Sequence, residues 1–251
     1  QHEQWLGGIA SGEMRAAAGL QEPQSFYNLN DVETRAEKSG DGYVLNGRKA
    51  VVIGGHCADV LVVSARTSGE SNDSDGISLF LVAPETEGVE RRTYPTIDGS
   101  KGCDLFLNNV RLGPDALLGQ EGKAADVIEY QAGRAIAALC GEAVGAMEIA
   151  CELTLEYLKQ RKQFGVPISR FQVLQHRMAD MYIQTETARS MTYLASMSLE
   201  ESPVSRMREL SAAKIQVARS GRFVGYQAVQ LHGGMGVTEE LDIGHHYIRL
   251  N

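Results

Sequence analysis

The shortages of this chain exclude several classes of protein. Its 24 Lys and Arg are outnumbered by 32 Asp and Glu, for a formal net charge of −8. A general nucleic-acid binder, which needs a basic footprint, is therefore not expected. A local anion site stays open, because nearby donors matter more there than the summed charge. No apolar run reaches the length of a membrane span, and no secretory signal pattern opens the chain. The four cysteines (Cys57, Cys103, Cys140 and Cys151) stand far apart without metal-ligand spacing. They read as reduced thiols of a cytoplasmic protein, and no metal is expected. His245-His246 lacks a third ligand at a useful spacing and reads as a solvated helix start. Nothing in the spacing supports a serine–histidine or cysteine–histidine nucleophile.

What is present is ordinary globular material. The 251 residues are 43% hydrophobic and 22% charged, enough for one large domain or two modest ones. The chain opens on Gln1 and stops at Asn251, just past a strong motif, so a fragment of a longer product is expected. Trp5, Leu6 and Ile9 sit at near-helical spacing, so residues 1–15 read as the tail of a helical region. From 16 to 118 the pattern alternates. Short runs at 32–36, 42–45, 49–53, 60–65, 77–82, 89–94 and 105–110 are bounded by turn signals and read as strands. Gly40-Asp41-Gly42 and Asn46-Gly47 are expected as hairpin turns, the second of type I′. The polar, acidic stretch 68–76 reads as a solvated loop. These strands, with no helical pattern between them, predict a small antiparallel β-barrel or sandwich.

Residues 119–251 carry the helical period, so the expected fold class is α+β with a C-terminal four-helix bundle. Ile128, Ala132, Ala135, Leu139, Ala143, Ala146, Ala150 and Leu158 are expected on the core face of a first long helix. Leu174, Met178, Met181, Thr185, Ala188, Thr192 and Ala195 mark a second. Ser202-Pro203 reads as an N-cap followed by proline at the first helical position. Met207, Leu210, Lys214, Val217, Gly221, Val224, Ala228 and Leu231 line a third. The methionines at 178, 181, 191, 197 and 207 are read as packing.

Two segments carry the chemistry. Arg161-Lys162-Gln163-Phe164-Gly165-Val166-Pro167-Ile168, followed by Phe171-Gln172, puts cations, an amide and an aromatic beside a breaker that bends the chain. A guanidinium beside an amine and an amide suits phosphate oxygens, although most charged helix ends are merely solvated. Gln230-Leu231-His232-Gly233-Gly234-Met235-Gly236 ends a later helix, and its glycines let backbone amides approach a ligand closely. His232 reads equally as a ligand contact or as a helix cap.

Together, RKQFGxPIxxFQ and QLHGGMG with helices between them resemble the acyl-CoA dehydrogenase family over nearly the whole chain. The resemblance implies FAD, with the first segment at its phosphate region and the second near its adenosine end, both acting on the flavin of a neighbouring subunit. The implied cofactor contacts are Arg161, Gln163, Phe164, Gln172, Gln230, Gly233 and Gly234. It further implies α,β-desaturation of an acyl-CoA, a homo- or heterotetramer, and an electron-transferring flavoprotein as acceptor. The family's N-terminal helical domain is matched only by residues 1–15.

The sequence also departs from the family's pattern. The usual glutamate base is expected beyond Asn251, and the position used by a minority branch falls near Ala135, which cannot titrate. Where the family has Thr-Glu-Pro then Gly-x-Gly-Ser-Asp, this chain reads Gln21-Glu22-Pro23-Gln24-Ser25-Phe26-Tyr27-Asn28. Where the flavin ring would meet Trp-Ile-Thr-Asn, it has Val51-Val52-Ile53-Gly54. The half of the site given to a neighbour is intact and the half holding the chain's own ring is weakened. That pattern resembles the two-subunit branch of pimeloyl-CoA-type and steroid acyl-CoA dehydrogenases. A same-fold flavin oxidase or monooxygenase and a non-catalytic assembly subunit are the alternatives.

Overall fold

The computed structural model describes residues 3–251, with side chains described from Trp5 onward. The chain divides into two compact units, Gln1–Glu129 and Tyr130–Asn251. The first opens with helix α1 (Glu3–Ser11) and continues as strands β1 (Ala16–Gly19), β2 (Arg35–Ser39), β3 (Gly42–Lys49), β4 (Val60–Arg66), β5 (Ile77–Val82), β6 (Val89–Pro95), β7 (Lys101–Leu112) and β8 (Leu117–Leu118). They form one sheet in the order β6-β7-β3-β2-β4-β5-β8, with β1 on β4.

The expected α+β class, a unit of mostly antiparallel strands followed by helices, is what the structure has, and the choice of barrel or sandwich is refined in two respects. β4 runs parallel to β1 over four residues and meets β2 in parallel at Arg35 and Arg66, so the sheet is mixed. It also stays open, ending at β6 and β8. Both ends resist further pairing: β6 carries Glu90, Arg91 and Arg92, and β8 is two residues long. β5 is almost wholly apolar because both its faces are covered. Phe80 and Val82 join Leu61, Val63, Leu105 and Leu107 in the main core, while Ile77 and Leu79 pack with Val32, Ala124 and Ile128.

Two turn assignments differ in outcome. Gly40-Asp41 does form the tight loop joining Ser39 to its partner Gly42, with Gly40 at φ 64°. Asn46-Gly47 instead lies inside β3, where the register against β7 shifts between Leu45 and Gly47. Asn46 Oδ1 accepts from the Asn109 amide at 2.8 Å, and a Cβ on Gly47 would lie 2.6 Å from Thr34 Cα. The Asn-Gly pair is used for a bulge. The expected strand at 49–53 is likewise absent. β3 ends at Lys49, and the chain turns through Val51 and Gly54 at φ 53° and 74°.

A buried ion pair holds the loops of this unit. Lys49 Nζ donates to Glu22 Oε1 at 2.6 Å and to Ser64 Oγ at 2.9 Å. Glu22 also accepts from the amides of Glu33 and Thr34 and from Gln24 Nε2. Burial pushes the Lys49 ammonium down to about 8, against the pull of Glu22. Burial opposes ionisation of Glu22 too, but Lys49 and its other donors hold that carboxyl below its usual range. The loop 68–76 is also anchored from within. Arg66, 1% exposed, donates to the carbonyls of Asn30, Val32, Ser71, Asp73 and Asp75.

The second unit holds most of α2 (Ala125–Gln160), the short strands β9 (Lys162–Gln163) and β10 (Val166–Pro167), α3 (Gln172–Met197), α4 (Pro203–His232) and α5 (Ile243–Leu250). Ser202 caps α4 by accepting from the Ser205 amide, with Pro203 in the first turn. The buried stripe of α2 runs through Cys140, Val144, Met147, Ala150, Thr154 and Leu158. Of the expected stripe, Ile128, Ala150 and Leu158 are buried and Ala132, Ala143 and Ala146 half-buried, while Ala135 and Leu139 face outward. α3 buries Met181, Thr185, Ala188 and Ala195 as expected. α4 buries Leu210, Val217, Gly221, Val224, Ala228 and Leu231, but Lys214 is exposed and Ala213 replaces it inside. Among the described residues no helix is long and apolar enough to cross a membrane.

The ion pair yields a test by urea denaturation. Glu22→Ala, which strands a buried ammonium, is expected to cost about 3–5 kcal/mol, and Glu22→Leu with Lys49→Met to recover most of it. Because Lys49 ionises near 8 instead of the ordinary 10.5, the unfolded chain binds more protons between those values. The Lys49 contribution to stability therefore rises with pH across that window, and Lys49→Met should abolish the rise.

Candidate functional site

The two motif segments meet in the second unit. α2 ends at Gln160, and the Arg161 amide still donates to Tyr157 O at 2.8 Å. β9 and β10 then pair through Gln163 and Val166, leaving a two-residue loop of Phe164 and Gly165 at φ 54° and 83°. Both central residues in the left-handed region is the geometry of a type I′ hairpin, where glycine is at ease and phenylalanine is not. The Ile168 amide closes the hairpin on Arg161 O at 2.8 Å. Phe164 is 92% exposed and meets Phe171 edge-on at 6.1 Å.

On the other side, α4 stops at Gly233, whose φ of 62° and ψ of −140° reverse the chain. Gly233–Val237 forms a 3₁₀ turn, and a Cβ on Gly236 would lie 2.6 Å from Val229 O. By contrast, a Cβ on Gly233 or Gly234 would meet nothing within 4 Å, so the backbone there is open to a ligand. His232 is buried against Tyr157, with ring centroids 4.5 Å apart.

Between these segments lies a cleft of about 420 Å³. Arg161, Gln163, Gln230, Gly233 and Gly234 all line it, together with Tyr157 and Ile168. Among the described residues the Arg161 guanidinium has no hydrogen-bond or ion-pair partner. Phe164 and Gln172 are not among the lining residues; they stand exposed at the hairpin tip and at the start of α3. Tyr157 was not singled out in the sequence. It sits one helical turn before Arg161, and that i,i+4 relation was the available signal.

The other candidate region lies in the first unit. Glu22, from the Gln-Glu-Pro stretch, is the buried partner of Lys49. Phe26 (φ 48°) and Tyr27 are exposed, the latter 95%. Val52 pairs with Cys103 through both backbone groups, and Val51 N donates to Asp104 Oδ1 at 3.3 Å. Burial works against the Asp104 charge, but Arg48, Val51 N–H and the Tyr94 hydroxyl hold its carboxyl below the usual range. Val51 and Ile53 thus present half-exposed aliphatic side chains from a pinned loop.

The chain belongs to the acyl-CoA dehydrogenase family. The family model described as "Acyl-CoA dehydrogenase, middle domain" matches residues 17–110, and "Acyl-CoA dehydrogenase, C-terminal domain" matches 125–250. Among curated relatives, the human "Short-chain specific acyl-CoA dehydrogenase, mitochondrial" is 29% identical over 250 residues, covering 98% of this chain and 60% of the relative. The solved butyryl-CoA dehydrogenase of Megasphaera elsdenii superposes with a TM-score of 0.90 at 30% identity, covering 99% of this chain and 65% of that one. A chain of the structure described as "Electron transferring flavoprotein of Acidaminococcus fermentans: Towards a mechanism of flavin-based electron bifurcation" gives a TM-score of 0.89 at 32% identity, covering 98% of this chain and 65% of that one. The chain therefore spans about three fifths of the length of such relatives.

Members of this family are FAD-dependent. The residues present fit the dinucleotide's ADP half, with an unpaired guanidinium, amide side chains and an open glycine turn in one cleft. For the isoalloxazine, the 51–54 loop offers aliphatic surface and backbone groups but no side-chain hydroxyl. Among the described residues no group of three or more His, Cys, Asp or Glu is disposed to hold a metal.

The strain at the hairpin tip separates binding from stability. Phe164→Asn should leave the fold intact or raise its stability by about 1 kcal/mol, since asparagine tolerates the left-handed region better. Thermal melting with and without FAD checks this: the variant should melt no lower without the cofactor, yet gain less from adding it.

Proposed function

We propose that this chain is the middle and C-terminal part of a flavin-dependent acyl-CoA dehydrogenase, and that its second unit binds the ADP half of FAD whose ring rests on a neighbouring subunit. The observation carrying this reading is the convergence of Arg161 and Gln163 with Gln230, Gly233 and Gly234 on one cleft. Arg161 offers bidentate donors to the diphosphate, and the amides of the glycine turn add uncharged donors. Phe164, held outward on a strained turn, is an apolar contact for the neighbouring subunit or its cofactor, and Gln172 is assigned to the same neighbour.

When bound, FAD supplies the acceptor for the hydride leaving the β-carbon of an acyl-CoA thioester. The α-proton goes to a carboxylate; Ala135, at the position a minority branch uses, has no group to take it and faces outward on α2. The assembly is a homo- or heterotetramer, supported by exposed apolar residues on α3 such as Tyr182, Ile183, Tyr193 and Met197. An electron-transferring flavoprotein is the acceptor, a choice supported by the likeness to the Acidaminococcus fermentans chain. Four free cysteines support a reducing, cytoplasmic location.

The 51–54 loop favours a finer reading, in which the chain donates its cleft to a partner's flavin and holds its own ring poorly. A wholly non-catalytic assembly subunit is the extreme of that reading, and the unpaired Arg161 weighs against it. A same-fold oxidase would differ in not being reduced by acyl-CoA.

The deciding experiment is the absorbance spectrum of the full-length protein, alone and co-expressed with a candidate partner subunit. Flavin at one per chain from the protein alone would refute the shared-site version. Flavin appearing only with the partner, and in half the subunits, would support it. Anaerobic addition of acyl-CoAs should bleach the bound flavin, and Arg161→Ala should weaken FAD binding roughly tenfold or more, as loss of a charged hydrogen bond implies. Failure of every acyl-CoA to bleach it would overturn the dehydrogenase assignment.

A further inference from the structure

Val51 is a β-branched residue in the left-handed region, at φ 53°, and its side chain is about half exposed. That backbone is uphill for valine, so it persists only where the surroundings impose it. The chain is fixed on both sides of it. The Ala50 amide donates to Gln21 O at 2.9 Å, and Val52 exchanges both backbone hydrogen bonds with Cys103. Val51 itself is held by a side chain, because Asp104 Oδ1 accepts from its amide at 3.3 Å. The carboxylate is in turn oriented by the Tyr94 hydroxyl at 3.2 Å and by Arg48 Nη2 at 2.6 Å. Gly102 lets Tyr94 reach it. The two residues face each other across β6 and β7, and a Cβ on Gly102 would lie 2.5 Å from the Tyr94 ring.

A hydrogen bond to an ionised carboxylate is comparable in size to the strain of a left-handed valine and opposite in sign. With its neighbours tied down, Val51 therefore points its side chain as Asp104 dictates. The adjoining loop repeats the pattern: Phe26, at φ 48°, has its carbonyl held by Gln21 Nε2 at 2.6 Å. The 51–54 loop has no side-chain hydroxyl, so its fit to a flat ring depends on where its aliphatic atoms stand. Resting on the flavin reading, we propose that Asp104 is a positioning residue, which acts through the Val51 backbone to fix an aliphatic contact for the flat ring of the cofactor. The ADP half of FAD is assigned to the second unit, so Asp104 should matter to the whole dinucleotide and not to ADP.

The test uses the full-length apoprotein, quenching of FAD fluorescence on binding, and ADP as competitor. Asp104→Ala should weaken FAD about tenfold, the scale of one hydrogen bond to a charged group, and leave ADP unchanged. Asp104→Asn, which retains an acceptor oxygen, should recover part of the loss. Glycine is at ease in the left-handed region and has no side chain to misplace, so in a Val51→Gly background removing Asp104 should cost FAD binding nothing further. In wild-type protein carrying methyl-labelled valine, FAD should shift the Val51 resonances and ADP should not, a readout independent of whether the variants fold. The Val51 signals are identified by their absence in Val51→Gly. Unchanged FAD affinity in Asp104→Ala, equal losses for FAD and ADP, an undiminished loss in the glycine background, or Val51 methyls indifferent to FAD would overturn the role of Asp104 alone. Wild-type protein that binds neither FAD nor ADP would overturn it together with the functional reading beneath it.

Discussion

A carboxylate and an ammonium closed off together from water govern the β unit. Glu22 and Lys49 are 2% and 0% exposed, and their 2.6 Å contact ties the loop after β1 to the end of β3. Ser64 extends the tie, accepting from Lys49 and donating to Leu20 O. Neither charge is tolerable alone in that interior, so the two loops hold their relative place or the unit loses far more than one hydrogen bond. The backbone reversal at Val51 is set from the same anchor on one side and from Asp104 on the other. The loop expected to meet a flavin ring is therefore firmly placed even though its side chains are aliphatic.

The helical unit solves a different problem. Its core is mostly small residues and methionine, which lets long helices pack closely, and its strained positions gather at one end. Phe164 and Gly233 both adopt positive φ, one despite its side chain and the other because it has none. Strain kept at an exposed aromatic is what a binding edge tolerates and a core does not. At the cleft between these turns the Arg161 guanidinium has no hydrogen-bond or ion-pair partner among the described residues, which leaves it available for the anion that the proposed function assigns to it.

Much of this was legible beforehand. The change from alternating to helical period separated strands from helices, and the Gly-Asp turn, the Ser-Pro cap and the core stripe of α3 followed from local chemistry. Arg161, Gln163, Gln230, Gly233 and Gly234 are legible from their two motifs, and all five line one cleft. What misled were signals with two physical uses. Asn46-Gly47 has the residues of a hairpin turn, and a bulge needs the same backbone freedom. The β-branched run at 51–53 has strand propensity, but Asp104 and Cys103 hold it as a turn. On α2, alanines on every side erased the periodic contrast that would have oriented it.

The division follows from the range of the forces involved. Hydrophobic period, turn residues and caps act over a few positions, so the amino-acid order by itself determined the element types, the two motif segments and the family to which they belong. Partnership between distant residues is settled only when the chain closes on itself. The burial of Glu22 against Lys49, the gathering of five carbonyls on Arg66, the parallel placement of β4, and the meeting of Arg161 with Gly233 across one cleft were decided by tertiary structure. Each depends on desolvation or close approach between segments that no local window contains.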